Sequence, residues 1–304
     1  MARHVAVLMG GWSSERAVSL SSGAGCAEAL ERAGYRVTRV DVGRDVAAVL
    51  AALKPDVAFN ALHGPFGEDG CLQGILEYLA IPYTHSGVLA SALAMNKDKA
   101  KAVLAAAGVP VAPHLLAHRL EAAKQHLLPV PYVIKPVNEG SSVGVFIVRA
   151  GMSHPPQELF AADWRHGDTV MVEKFVAGQE LTCAVIDGEA TGVIDIVPVG
   201  QAFYDYDAKY RPGASRHVLP AVLKPNIYQE VRTLAVRAHH ALGCKGVSRS
   251  DFRYDADSDD LVILEVNTQP GMTATSLVPE LAAHKGIDFP ALVSWMVEDA
   301  SCNR

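Results

Sequence analysis

Glu265 and Asn267, in the segment Leu264-Glu265-Val266-Asn267-Thr268-Gln269-Pro270-Gly271-Met272-Thr273, stand two residues apart. In a strand both side chains leave the same face. A carboxylate beside an amide oxygen suits a hard divalent cation. Asp251, in Ser248-Arg249-Ser250-Asp251-Phe252-Arg253-Tyr254, offers a second carboxylate. Residues 255–260 between them are acidic and polar, and apolar residues resume at Leu261. That pattern predicts a hairpin turn, which would bring Asp251 alongside Glu265. An Asp, a Glu and an Asn held this way clamp Mg²⁺ against nucleotide phosphates. The plain alternative is a polar strand edge.

Two further segments could serve a nucleotide. Lys135-Pro136 ends an expected strand and is followed by Glu139-Gly140-Ser141-Ser142-Val143-Gly144. A lysine supplies a point charge for phosphate, glycines let backbone N–H groups approach an anion, and serine hydroxyls add donors. The loop joins two strands and opens no long helix, so it is not a P-loop, and the GxxxxGK signature occurs nowhere. Taken alone it could be a flexible hairpin loop. Glu173-Lys174-Phe175-Val176, with Glu180 beyond, combines acceptors for an exocyclic amine and ribose hydroxyls with apolar walls for a ring. By itself it is also an amphipathic strand and turn.

These pieces need a scaffold. The first third alternates strands and helices: strand His4–Met9 into Gly10-Gly11, a helix capped by Ser13 or Ser14 and running to Arg32, then strand 35–40, helix Val46–Leu53 and strand 57–62 ending in His63-Gly64. Such a rhythm implies a parallel sheet covered on both faces, with ligands beyond the carboxyl ends of its strands. Asn96-Lys97-Asp98-Lys99 opens a new helix, after which the strands read as antiparallel α+β structure. Asp187-Gly188 is a hairpin signal. The polar stretch from Gly200 to Arg216 is long for a loop and reads as a lid that would exclude water.

Composition narrows the class. The chain has 304 residues, is 50% hydrophobic and 20% charged, and carries a net charge of -6, which argues against nucleic-acid binding. No apolar run approaches the roughly 18 residues a membrane helix needs, and the N-terminus reads as no secretory signal. Five scattered cysteines without a CxxC pair fit a reduced cytoplasm. His239-His240 and the other histidines lack metal spacing and read as solvated surface groups.

In order, Lys97, Lys135 with its Gly-Ser loop, Glu173-Lys174 with Glu180, and Asp251, Glu265 and Asn267 resemble the ATP-grasp enzymes. Gly10-Gly11-Trp12-Ser13-Ser14-Glu15-Arg16 and Ala61-Leu62-His63-Gly64-Pro65-Phe66-Gly67-Glu68-Asp69-Gly70 are similar to motifs of the D-alanine–D-alanine ligase family. So are Phe203-Tyr204-Asp205-Tyr206-Asp207-Ala208-Lys209-Tyr210, Gly243-Cys244-Lys245-Gly246 and the segment from Asn267 to Thr273. The resemblance covers nearly the whole chain.

It implies an N-terminal substrate-binding α/β unit (1–96), a small ATP-grasp subdomain (97–180) and a C-terminal one (181–304) with lid and metal site. It implies ADP-forming ligation of two D-alanines through D-alanyl phosphate, for peptidoglycan precursors. Lys97, Lys135, Ser142 and Lys209 would hold ATP phosphates. Glu173, Lys174, Phe175, Val176 and Glu180 would hold adenine and ribose. Asp251, Glu265 and Asn267 would bind two Mg²⁺ or Mn²⁺ ions. Glu15 would bind the first D-alanine's ammonium and link through Ser141 to Tyr210, while His63 would lie near its carboxylate. Ser276 and Leu277 would receive the second carboxylate. Arg249 and the Gly271 N–H would stabilise the tetrahedral oxyanion. Tyr210 favours an amine over a hydroxyl acid as second substrate. A cytoplasmic enzyme, able to form a homodimer, is expected. The rival readings are another ATP-grasp carboxylate–amine ligase and a non-catalytic nucleotide-binding regulator.

Overall fold

A computed structural model describes residues 2–141, 143–199, 215–273 and 275–304. Ser142, Lys209, Tyr210 and nearly all of the expected lid lie outside the described residues.

Among the described residues the strands form three sheets. The first is parallel, in the order β2-β1-β3: β1 (His4–Met9) lies between β2 (Arg36–Asp41) and β3 (Val57–Asn60). The helices that follow β1 and β2 are α1 (Arg16–Arg32) and α2 (Val46–Leu53); α3 (Cys71–Tyr78) and α4 (Val88–Met95) come after β3. The central strand is wholly buried and apolar after His4, as a strand covered on both faces must be. Neither Ser13 nor Ser14 caps α1. Glu15 occupies the N-cap, and Ser13 Oγ instead donates to the His63 carbonyl at 2.7 Å, tying the helix start to the end of β3.

α5 (Lys97–Ala106) follows, capped as its sequence predicts by Asn96, whose side chain accepts from the Lys99 N–H. The second sheet runs β4-β7-β5-β6, all antiparallel: β4 (His114–His118), β5 (Tyr132–Pro136), β6 (Phe146–Val148) and β7 (Thr169–Lys174), with α6 (Arg119–Lys124) packed on it. The Gly-Ser loop connects β5 to β6.

The third sheet runs β10-β9-β8-β11-β12: β8 (Gln179–Ile186), β9 (Glu189–Pro198), β10 (Ser215–Val218), β11 (Val247–Asp255) and β12 (Asp260–Asn267). Asp187 and Gly188 turn β8 into β9 with φ of 55° and 72°, the left-handed pair that a two-residue hairpin requires. α7 (Pro225–Leu242) and α5 cover one face, burying Leu104, Val231, Leu234 and Ala235 against Val193 and Phe252. On the other face, Ala184, Ile186 and Ile194 join Val5, Val7 and Phe59 of the parallel sheet, along with α8 (Leu277–His284) and α9 (Phe289–Asp299). That shared core fixes the carboxyl ends of β1 and β3 against the edge carrying Glu265 and Asn267.

His239 is not a surface group. It is 4% exposed on α7, and its Nδ1 lies 2.8 Å from Ser248 Oγ. The amphipathic face of the helix turns it inward.

Candidate active site

Two cavities meet where the three sheets converge. The first, about 880 Å³, lies between the second and third sheets. Lys97, Lys135, Glu173, Lys174, Phe175, Val176, Glu180, Asp251 and Glu265 line it. The second, about 690 Å³, is lined by Glu15, His63, Ser141, Arg249, Asn267, Gly271 and Ser276. Gly140, Glu265 and Leu277 border both. The structure thus gathers every described residue expected at the site along one cleft.

The strand register builds the centre. On β11 and β12, Asp251 is opposite Glu265 and Arg249 is opposite Asn267, so all four share one face. A bulge follows, because Phe252 pairs with Ile263 and leaves Leu264 unopposed. Consequently the consecutive residues Leu264 and Glu265 both border the first cavity. Arg249 grips Asp251 with two bonds, at 2.9 and 2.7 Å, and the Asn267 amide reaches Asp251 Oδ2 at 3.1 Å. Lys97 lies 3.2 Å from Glu265.

This donor set fits a hard divalent ion. It presents two facing carboxylates and the Asn267 amide, with the Arg249 guanidinium and the Lys97 ammonium side chains against the acidic oxygens. Asp251 and Glu265 are two such carboxylates only, and among the described residues no three His, Cys, Asp or Glu side chains gather to hold a metal ion.

On the nucleotide side, Glu173 is the penultimate residue of β7, is 2% exposed and lies 2.7 Å from Lys135. Burial pushes its carboxyl up, but Lys135 and Lys101 outweigh burial and hold it below the ordinary range. Phe175 packs beneath the Arg253 guanidinium at 5.5 Å, and Arg253 also pairs with Glu180 at 3.3 Å. Lys174 reaches Asp260 at 3.2 Å on the rim.

The second cavity is acidic at one wall. Glu15 is 6% exposed, and Ser141 Oγ donates to its carboxylate from the opposite loop. Glycines make room for it: a Cβ on Gly64, whose φ is +73°, would stand 2.9 Å from Glu15 Oε2, and one on Gly140 would stand 3.2 Å away. His63 Nε2 contacts Ser22 Oγ at 3.2 Å, and Ser22 accepts from the Met272 N–H. Burial first, then Arg249, lowers His63 to about 4, so its imidazole is neutral at ordinary pH. Ser276 is the N-cap of α8, and its hydroxyl accepts from Thr273 N–H at 2.9 Å.

Sequence reasoning missed several residues. Glu68 lines the second cavity, and burial first, then Glu15, pushes it up to about 8; its place within the His63–Gly70 motif was the available signal. Gln269 is 2% exposed and binds the Leu62 carbonyl and Asn60, joining the Gly271 loop to the end of β3. Lys101 pairs with Glu173, and its only sequence signal is its spacing from Lys97.

Two α+β layers enclosing a lysine-lined cleft, with an acidic β-hairpin along it, define the ATP-grasp class. The family described as "D-ala D-ala ligase C-terminus" matches residues 103–298, and "D-ala D-ala ligase N-terminus" matches residues 45–86. The chain is 67% identical to a D-alanine–D-alanine ligase of Agrobacterium fabrum and 66% identical to a D-alanine–D-alanine ligase B of Mesorhizobium japonicum, in each case over 99% of both chains. A crystal structure of the Bacillus anthracis D-alanine–D-alanine ligase complexed with ATP superposes with a TM-score of 0.82 at 29% identity, covering 98% of this chain and 97% of that one. The chain belongs to the D-alanine–D-alanine ligase family.

Proposed function

We infer that this chain joins two D-alanine molecules into D-alanyl-D-alanine at the expense of ATP, through D-alanyl phosphate, to supply peptidoglycan synthesis. The observation that carries the reading is the meeting of a cation-lined cavity with one holding Glu15 and Arg249, at Gly140, Glu265 and Leu277.

A free carboxylate is a poor electrophile for an amine, and phosphorylation gives it a leaving group. Adenine and ribose would lie against Glu173, Lys174, Phe175, Val176 and Glu180. Lys97 and Lys135 would hold the phosphates, with Ser142 and Lys209 assigned to them from sequence alone. Glu15, fixed by Ser141, would hold the first D-alanine's ammonium, with neutral His63 beside its carboxylate. That carboxylate oxygen attacks the γ-phosphorus, a new P–O bond forms, and ADP departs. Such transfer depends mainly on positioning and charge neutralisation.

The second D-alanine, its carboxylate toward Ser276 and Leu277, attacks the acyl carbon through its unprotonated amine. Arg249 and the Gly271 N–H would face the resulting oxyanion. The C–O bond to phosphate breaks, the nitrogen loses a proton, and the dipeptide remains. Asp251, Glu265 and Asn267 would hold Mg²⁺ or Mn²⁺, which neutralises phosphate charge when bound. Choice of an amine over a hydroxyl acid rests on Tyr210 in the sequence.

We further propose the three-unit division at residues 96 and 180, a cytoplasmic location and a homodimer, on family resemblance. Among the described residues no helix is long and apolar enough to cross a membrane. Phosphate release from ATP should require D-alanine; equal or faster release with L-alanine would overturn the substrate assignment.

A further inference from the structure

Lys101 lies on α5 one turn beyond Lys97, so the two side chains leave the same face of that helix. They serve different strands. Lys97 meets Glu265 on β12 at 3.2 Å, whereas Lys101 pairs with Glu173 on β7. Lys101 is 1% exposed. A lysine is almost never buried without a compensating partner, and burying its charge is costly. Yet Glu173 already has Lys135 at 2.7 Å on its other oxygen, Oε2, while Lys101 takes Oε1. One carboxylate therefore faces two lysine amines, and with both protonated the buried trio carries one surplus positive charge.

Simple structural pairing needs only one lysine per carboxylate. The surplus matters because Lys135 and Glu173 line the nucleotide cavity, whereas Lys101 stands behind Glu173 on α5. With Lys101 absent, Lys135 and Glu173 would form a closed neutral pair, and a phosphate would have to compete for Lys135. With Lys101 present, half of the Glu173 carboxylate is already engaged, and Lys135 keeps charge to offer. Burial lowers the Lys101 ammonium from its ordinary range and Glu173 opposes that, as expected of a cation tolerated only for its partner.

We propose that Lys101 is a positioning residue for ATP: it fixes and charge-balances Glu173, so that Lys135 is available to a nucleotide phosphate and Glu173 stays oriented toward the adenine amine. This rests on the ATP-dependent ligation described above and deepens it.

The test is steady-state kinetics of the full-length protein with Lys101→Met, which keeps the length and apolar stem. The KM for ATP should rise about tenfold or more, while kcat and the KM for D-alanine stay within about twofold, the signature of lost ground-state and transition-state binding alike. Preference for ATP over GTP should narrow, since GTP lacks the amine that Glu173 would accept. In a Glu173→Gln background the same substitution should add less than about twofold, because coupled residues are non-additive. Should Lys101→Met alone not fold, the Glu173→Gln/Lys101→Met pair is read against Glu173→Gln, and a further tenfold rise in ATP KM there overturns the proposal. A lower melting temperature with unchanged ATP KM also overturns it, leaving Lys101 a structural cation. Absence of D-alanine-dependent turnover in the unsubstituted enzyme would instead count against the function itself.

Discussion

Asp251 and Glu265 face each other across β11 and β12, and each carboxylate already touches a cation, Arg249 at 2.7 Å and Lys97 at 3.2 Å. Carboxylates paired across two strands would repel each other without such compensation. Replacing Glu265 with Gln removes one of the two facing negative charges while keeping its shape. Phosphate release should fall by about 100-fold or more, and the melting temperature should move by no more than about 4 °C. Turnover at the unsubstituted rate would remove Glu265 from the site.

Arg249 has two tasks in this geometry, holding Asp251 and facing the second cavity. An Arg249→Ala enzyme should still make acyl phosphate but use it poorly. Water then takes the place of the amine, so phosphate released per dipeptide formed should exceed one-to-one, and dipeptide formation should drop about 100-fold. An unchanged rate with one-to-one stoichiometry would contradict the oxyanion role.

Four histidines, His4, His63, His85 and His239, are buried, and each is lowered from its ordinary range. Burial is the leading cause at each: His63 is lowered to about 4, His239 to about 4 and His85 to about 3, from an ordinary 6.5. The unfolded chain binds protons at these positions between 6.5 and the lowered values, whereas the folded chain does not. Stability is therefore full above 6.5 and is lost as pH falls toward 4. Melting temperatures followed from pH 7 to pH 4 should show this decline, and His239→Gln, remote from both cavities, should make it shallower. An identical slope in that variant would mean His239 is not buried neutral.

Gln269 joins the Gly271 loop to the end of β3 through the Leu62 carbonyl and Asn60. Gln269→Leu leaves the Leu62 carbonyl without that donor and should cost about 1–3 kcal/mol in denaturant unfolding. Because His63 follows Leu62, the KM for D-alanine should rise more than that for ATP. Equal effects on both would indicate general destabilisation only.

Much of this cleft is legible in the amino-acid sequence, for reasons that are local. Glu265 and Asn267 share a face because strand side chains alternate, and the acidic turn before Leu261 sets Asp251 beside them. Asn96 announces α5 through its cap, and Asp187-Gly188 announces a hairpin. What the sequence leaves hidden is created by contact between distant segments. Lys101 meets Glu173 only because α5 packs where β7 ends, and Gln269 meets Asn60 across the whole chain. Ser13 reads as a helix cap, yet its hydroxyl goes to His63, because a tertiary acceptor competes for it. His239 reads as solvated because its side chain is polar, although its spacing from Val231, Leu234, Ala235 and Leu242 sets it on the covered face of α7. The bulge at Leu264 depends on strand pairing, which no single segment encodes.

Phosphorylation of one D-alanine carboxylate, in the cleft between Lys135 and Glu15, is the central step. Supplying ATP with D-alanine labelled by ¹⁸O in its carboxylate tests this directly. Mass analysis of the inorganic phosphate should find one labelled oxygen for each dipeptide formed, since the oxygen that attacks phosphorus leaves with it. Unlabelled phosphate accompanying labelled dipeptide would contradict the acyl-phosphate route.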